Sequence, residues 1–277
     1  MSELILAAVP LGNIGDASTR LKEVISSADV IAAEDSRRFL RLVKDLEIEC
    51  SAQILSFFEG NESSRLKEIE AALNSAKKVV LVTDAGMPSV SDPGFRAVRM
   101  AVEKGFSVKV IPGPSAVLAA LALSGLPMDS FAFDGFPPRT SGAREQWFEE
   151  RAHENRTLVI FEAPHRVVET LESLRNSFGG DRQAAICREI TKTYEETIRG
   201  SIDQLCEWST SKEMLGEFTI VLAGYDPAQF SISDTEIAVI VRRNEASGIT
   251  RKEAISKTAK ELKIPKRKVF DIMVNEK

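Results

Sequence analysis

The 277-residue chain is 43% hydrophobic and 28% charged, with a net charge of −5. This length suits one large or two medium domains, and the apolar content supports a sizeable core. The negative balance excludes a protein that coats nucleic acid, though not an enzyme with a local basic face, and no apolar run approaches the ~18 residues of a membrane span.

Leu4–Val9 is an apolar strand, entered without a basic leader or cleavage site, so the cytoplasm is the expected location. It breaks at Pro10-Leu-Gly-Asn-Ile-Gly-Asp16, after which Ser18 or Thr19 caps a helix through Ala28. Val30–Ala33 is a second strand, ending in Glu34-Asp35-Ser36-Arg37-Arg38. A strand, a glycine turn, a helix and an acidic strand end imitate a dinucleotide fingerprint. The first glycine of that pattern is absent, however, and Pro10 stands near its place, which argues against a nicotinamide cofactor. Ile54–Phe58 is a third strand, followed by a charged helix through Ala76.

Val79–Thr83 and Ser107–Ile111 are short β-branched runs, each closed by Gly and Pro, and Phe95–Lys104 between them has helical spacing. The unit is a parallel crossover of roughly 30 residues. Its loops, Asp84–Gly94 and Pro112–Ala116, are expected to leave the carboxyl ends of adjacent strands, where open α/β sheets bind ligands. The first loop holds Asp84 and Asp92, Gly86 and Gly94, Pro88 and Pro93. A loop that merely turns the chain does not need so much specified backbone. A helix over Ser115–Leu123 stops before Pro127, so residues 1–126 are predicted to be a βα-repeat domain with a mostly parallel sheet.

After Pro127 the texture changes. Phe131–Phe136 is a strand, Pro137–Arg144 a basic flexible loop, and a helix runs to about Ala152. Thr157–Ala163 is a strong strand ending at Pro164-His165-Arg166, which opens a helix to Phe178. Gln183–Ile190 and Tyr194–Ile202 are strands joined by a short turn, hence antiparallel, and Glu217–Tyr225 is the last strand. Residues 127–228 are therefore predicted to form a second α/β domain with a mixed sheet. Residues 229–277 read as short helices around Gly248 and Pro265. From Ile249 onward nine Lys/Arg face four acids, so a tail of +5 opposes a body of −10. A charge run is most often a solvated helix face, but the opposed sign and helix–turn–helix rhythm favour contact with nucleic-acid phosphates. The cysteines, Cys50, Cys187 and Cys206, have neither metal-ligand spacing nor pairing logic, which points to a reducing compartment and no metal.

Val9-Pro-Leu-Gly-Asn13, Ala33-Glu-Asp-Ser-Arg37, Ser89-Val-Ser-Asp-Pro-Gly94, Ile111-Pro-Gly-Pro-Ser-Ala116, Glu162-Ala-Pro-His-Arg166 and Arg188-Glu-Ile-Thr-Lys192 occur in this order. Together they resemble the ribosomal RNA small-subunit methyltransferase I family, within the tetrapyrrole-methylase-like superfamily that uses S-adenosylmethionine. The resemblance covers roughly residues 4–225, and more weakly the basic tail. It departs at Met87 and Ser89, where Thr and Gly are common, and at Phe57–Gly60, which replaces a histidine-containing stretch. It implies two α/β domains with the cofactor in the cleft between them and a homodimer. The implied reaction is 2′-O-methylation of a cytidine in small-subunit ribosomal RNA, at the decoding centre.

Methyl transfer from a sulfonium is an in-line displacement in which positioning supplies much of the rate. Rigid Gly/Pro loops present carbonyls and amides at fixed positions. On the resemblance, Asp84, Gly86, Met87, Ser91 and Asp92 are assigned to the cofactor, with Pro10 and Leu11 walling the other side and Phe161 closing from the second domain. Ser115 and Ala116 sit at a helix start, where free amides can meet a carboxylate. The plain alternative for Asp84 is a turn or cap residue. A ribose hydroxyl is barely ionised at neutral pH, so a group should accept its proton. Glu34, Glu162, His165 and Lys192 are the leading candidates, with Asp35, Glu59 and Glu189 behind them. Their structural alternatives are helix capping for His165 and a Glu189–Lys192 bridge. Arg37, Arg38, Arg139, Arg144, Arg166 and Arg188 are candidates for RNA phosphates, which position rather than specify. Phe57, Phe58 and Phe136 are candidates for stacking a base, with a core role the plainer reading for each.

Two other functions compete. A porphyrinoid C-methyltransferase would carry a Gly-rich first loop and need no basic tail. A non-catalytic RNA-binding assembly factor would tolerate loss of the cofactor loops, which here are intact.

Overall fold

The computed structural model describes residues 2–211, 213–226, 234–262 and 264–275. The chain divides into two compact units, residues 1–225 and 226–277.

The first unit begins with β1 (Glu3–Ala7), α1 (Thr19–Ser26), β2 (Val30–Ala33), α2 (Ser36–Asp45), β3 (Gln53–Ser56), α3 (Glu62–Asn74), β4 (Lys78–Val82), α4 (Phe95–Glu103), β5 (Ser107–Ile111) and α5 (Ala116–Ser124). Its strands form an all-parallel sheet in the order β3-β2-β4-β1-β5. A parallel sheet is covered on both faces, so its inner strands β1, β2 and β4 are almost continuously apolar, while the edge strands β3 and β5 are partly exposed. Ile5, Ile31 and Val80 pack with Leu21, Ile25 and Phe39 on one face, while Leu4, Val79 and Leu81 pack with Ile69, Leu73 and Ala97 on the other. Each fully buried Leu or Ile contributes about 1.5–3 kcal/mol.

β4 and β5, expected to be adjacent, are not. The N-terminal strand β1 inserts between them and pairs with both. Strand neighbours depend on pairings distant in sequence, which a local crossover cannot specify. The two loops still open at the same sheet end, now flanking the loop after β1. Two helices also go beyond the sequence expectation. The first, α2, follows an Asp35 cap whose side chain accepts from the amides of Arg37 and Arg38.

The chain continues with β6 (Phe131–Phe133), α6 (Ser141–Glu149), β7 (Thr157–Glu162), α7 (Val167–Phe178), β8 (Gln183–Arg188), β9 (Glu196–Ser201), α8 (Ile202–Thr210) and β10 (Phe218–Leu222). The second sheet runs β6-β7-β10-β8-β9. β6 pairs parallel to β7 and the other neighbours are antiparallel. α8, the second unexpected helix, starts where a Ser201–Gln204 capping box ends β9. α5 follows the first sheet in sequence but packs on the second, its Val117, Ala120 and Leu121 against Val159, Ala185 and Val221.

The second unit contains α9 (Asp234–Ala246), α10 (Arg251–Glu261) and α11 (Lys266–Asn275) around Ile237, Val241, Ile255, Val269 and Ile272. The start of the predicted tail, 229–233, together with Lys263 and Lys277, lies outside the described residues. Among the described residues no helix is long and apolar enough to cross a membrane.

Candidate active site

Three loops meet at the carboxyl end of the parallel sheet. The loop after β1 is tied to the loop after β4 by reciprocal backbone bonds, Val9 N to Gly86 O (2.9 Å) and Gly86 N to Val9 O (3.1 Å), while Ala8 N donates to Ile111 O at the end of β5. Gly86 sits at φ +74°, and a Cβ there would crowd Leu11 Cδ2 at 3.1 Å, so only glycine fits without strain. β2 and β4 are parallel neighbours, and their ends exchange side-chain bonds. The Asp35 amide donates to Asp84 Oδ1 and the Asp84 amide to Glu34 Oε2, both at 3.1 Å. Arg38, one turn into α2, reaches Asp84 Oδ2 at 3.2 Å.

The second sheet supplies the opposite wall. Phe161 of β7 stacks edge-on with Phe133 and Phe136, at ring distances of 4.8 and 5.6 Å. Between the walls lies a cleft of about 390 Å3, within the range of small-molecule sites. Leu11, Val90, Val117, Phe136 and Phe161 give it an apolar lining, and Glu34, Asp84, Asp92 and Glu217 give it an acidic one. The first turn of α5 opens into it, and the Ser115 side chain makes no capping bond there. Uncapped amides at a helix start favour an anion. The cleft thus has an anion-seeking end, carboxylates for a cation and apolar walls for a flat group.

The acids repel one another. Burial, and secondarily Asp84 and Asp35, raise the pKa of Glu34, against the lowering effects of the Asp84 amide and Arg38. Burial and the charges of Glu34, Asp84 and Glu217 push Asp92 up to about 7. Asp35 is held well below the usual carboxylate range by hydrogen bonds from Arg37.

The predicted cofactor residues Leu11, Asp84, Gly86, Met87, Ser91, Asp92, Ser115, Ala116 and Phe161 all line the cleft. Pro10 does not; it is buried outside the lining. The proton-acceptor candidates scatter. Glu34 faces the cleft. The Glu162 carboxylate is sealed beneath it, accepting from Thr170 Oγ1 (2.5 Å) and the Ala163 amide (2.8 Å), beside Arg166 at 3.4 Å. His165 is exposed on the turn Pro164–Arg166, outside the lining, and caps nothing. Lys192 is bonded to Glu189 (2.9 Å) and Glu217 (3.1 Å). Burial alone would lower its pKa, but those bonds outweigh it and raise it, so Lys192 stays charged and bridges rather than accepts.

Several RNA candidates are committed elsewhere. Arg144 is 2% exposed and bonds Ser173 and Glu169 inside the α6–α7 packing. Arg166 staples the carbonyls of Pro137 and Pro138, and Arg188 that of Leu215. Phe57 is core. Arg37, Arg139, Phe58 and Phe136 remain exposed. Glu217, Phe218 and Thr219 enter the cleft with no local sequence signal, because β10 reaches it only through its pairing with β7.

Residues 3–206 match the family of Tetrapyrrole (Corrin/Porphyrin) Methylases. The chain is 44% identical over 257 residues to ribosomal RNA small subunit methyltransferase I of Mycobacterium bovis, covering 92% of this chain and 88% of that protein. It is 36% identical over 277 residues to the protein of the same name from Halalkalibacterium halodurans, covering 99% and 95%. The fold is similar to uroporphyrin-III C-methyltransferase of Thermus thermophilus complexed with S-adenosyl homocysteine, with a TM-score of 0.56 at 17% identity, over 80% of this chain and 97% of that one. With a family match over most of its first unit and relatives this similar along nearly its whole length, the chain belongs to the tetrapyrrole methylases and, among them, to the ribosomal RNA small subunit methyltransferase I family.

Proposed function

We propose that the chain transfers a methyl group from S-adenosylmethionine to the ribose 2′-hydroxyl of a cytidine in small-subunit ribosomal RNA, the residue at position 1402 of the 16S molecule. The observation that carries the reading is the cleft itself, where free α5 amides, a carboxylate cluster and apolar walls converge. These suit a zwitterionic amino acid joined through a sulfonium to a flat base. The amides of Ala116 and Val117 would hold the carboxylate, Asp84 and Glu34 the cationic groups, and Leu11, Val90 and Phe161 the base. When bound, the cofactor supplies an electrophilic methyl carbon open to in-line attack by an oxygen nucleophile. The Gly86 turn and the Val9–Gly86 bonds fix the first wall, so orientation is built before binding.

On the acceptor side, Arg37 and Arg139 are exposed for phosphates and Phe136 for a base. In the second unit Lys266, Arg267 and Lys268 are exposed at the start of α11, which supports RNA contact by that unit. We assign small-subunit ribosomal RNA, free or within the small subunit, as substrate, a homodimer as the working form and the cytoplasm as its place. The exposed apolar side chains Val110, Leu118, Met128 and Phe131 supply surface for a second copy.

Incubation with labelled S-adenosylmethionine and either small ribosomal subunits or a precorrin mixture tests the reading. Label in ribosomal RNA, on a 2′-O-methylcytidine after digestion, is expected. Label on the porphyrinoid alone, or on neither, would sink it.

A further inference from the structure

We propose that Asp92 is the group that accepts the proton of the acceptor hydroxyl, a role that rests on the methyltransferase reading above. Of the five acidic residues along the cleft, Glu162 has its carboxylate sealed beneath the lining on Thr170 and the Ala163 amide, and three of the other four are engaged. Asp84 holds the Asp35 amide and Arg38, Glu34 holds the Asp84 amide, and Glu217 pairs with Lys192. Only burial and the three neighbouring carboxylates act on Asp92; no donor or cation among the described residues stabilises its charged form. It is a half-buried carboxyl facing a ligand cleft with its bonding capacity unspent.

The backbone that carries it is over-determined. Ser89 and Ser91 lie at φ +70° and +62°, conformations that cost about 1–3 kcal/mol each for side-chain-bearing residues and persist only where surroundings impose them. Gly94, at φ +140°, would put a Cβ within 2.5 Å of Ser89 Oγ. Glu62 of α3 closes the loop by accepting from the amides of Gly94 (3.2 Å) and Arg96 (3.3 Å). The loop is thus a fixed mount for Asp92.

The chemistry follows from charge. With a sulfonium in the cleft, the added positive charge favours the Asp92 carboxylate against repulsion by Glu34, Asp84 and Glu217. In the transfer the acceptor O–C bond forms, the C–S bond breaks, and the electron pair leaves on sulfur as a neutral thioether. The hydroxyl proton passes to an Asp92 carboxylate oxygen. Positive charge disappears from the cleft in that same step, so the acids again repel and the proton affinity of Asp92 rises when an acceptor is needed. The proton is then released to water. A base is most effective when its pKa lies near the working pH, and Asp92 stands at about 7. The charged groups facing it are the three carboxylates, with Arg38 and Lys192 already paired to Asp84 and Glu217.

The test compares wild type with Asp92→Asn. Titration calorimetry at pH 7 in buffers of different ionisation enthalpy counts protons exchanged on binding S-adenosylmethionine and the neutral S-adenosylhomocysteine. Wild type should release about half a proton more with the sulfonium than with the thioether, since a group with pKa near the buffer pH is half protonated. Asp92→Asn should abolish that difference. In single-turnover methylation of small ribosomal subunits it should slow transfer by roughly 10²-fold or more, while Asp92→Glu retains proton release and part of the rate. An Asp92→Asn protein that transfers at the wild-type rate, or releases the same proton, overturns the proposal. So does an Asp92→Glu protein as impaired in both as Asp92→Asn. Wild type that binds neither ligand refutes instead the methyltransferase reading on which the role rests.

Discussion

Replacing Glu62 with alanine should uncouple the loop of Asp92 from the rest of the fold. Glu62 is 8% exposed and its Oε1 takes the amides of both Gly94 and Arg96, at the start of α4. The α4 cap residue Gly94 has no side chain to cap with, so Glu62 caps the helix from α3 instead. A hydrogen bond to a charged acceptor contributes about 1.5–3 kcal/mol. The Arg96 amide is only partly buried and gains water when the carboxylate goes, whereas the Gly94 amide is buried and is left without a partner. The Arg96 ion pair, at 3.7 Å with the guanidinium 59% exposed, adds at most a few tenths. The loss should therefore be about 2–3 kcal/mol for Glu62→Ala, and about 1 kcal/mol for Glu62→Gln, which keeps one acceptor oxygen. Urea unfolding measures it, and calorimetry should show weaker S-adenosylmethionine binding alongside. A loss below about 0.5 kcal/mol, or full destabilisation with unchanged affinity, would refute the view that this carboxylate holds the loop in its binding form.

Asp92→Asn should stabilise the protein at neutral and higher pH. A carboxyl raised from 3.8 to about 7 contributes stability below its ordinary pKa and loses it as pH rises through the folded value. The asparagine variant should match wild type below pH 4, gain between 4 and 7, and level off above. The unscreened limit of about 4 kcal/mol falls to about 1–2 kcal/mol for a carboxyl this open to solvent, readable as a pH series of melting temperatures. Lys192→Ala should weaken cofactor binding several-fold with little loss of fold stability. Its stem fills the place a Gly12 side chain would take, and Thr191 Oγ1 accepts from the Asn13 amide at 3.2 Å, so this turn pins the Leu11 wall. Unchanged affinity would remove the clamp from the site. Changing Lys266, Arg267 and Lys268 together to alanine should weaken RNA binding and shallow its log–log salt slope by about 0.7–0.9 for each phosphate no longer neutralised. An unchanged slope would assign these residues a packing role.

Local chemistry determined much of this protein. Gly/Pro closures after β-branched runs marked the strand ends, and six short motifs in register gave the family and about half of the residues that line the cleft. These features are legible because turn geometry and a strand's carboxyl end are properties of a few consecutive residues. Only tertiary structure decided which strands are neighbours, since β1 takes its place between β4 and β5 through pairings about 75 and 104 residues apart. It also decided which charged residues are free to act. Glu162, Lys192, Arg144 and Arg166 look alike in sequence with Glu34, Asp92 and Arg139, but their partners lie on other elements and spend their charge on packing. Asp92 differs from them for the opposite reason: the fold brings it three like charges and, among the described residues, no donor, and that surrounding, absent from its own loop, pushes its carboxyl up to about 7.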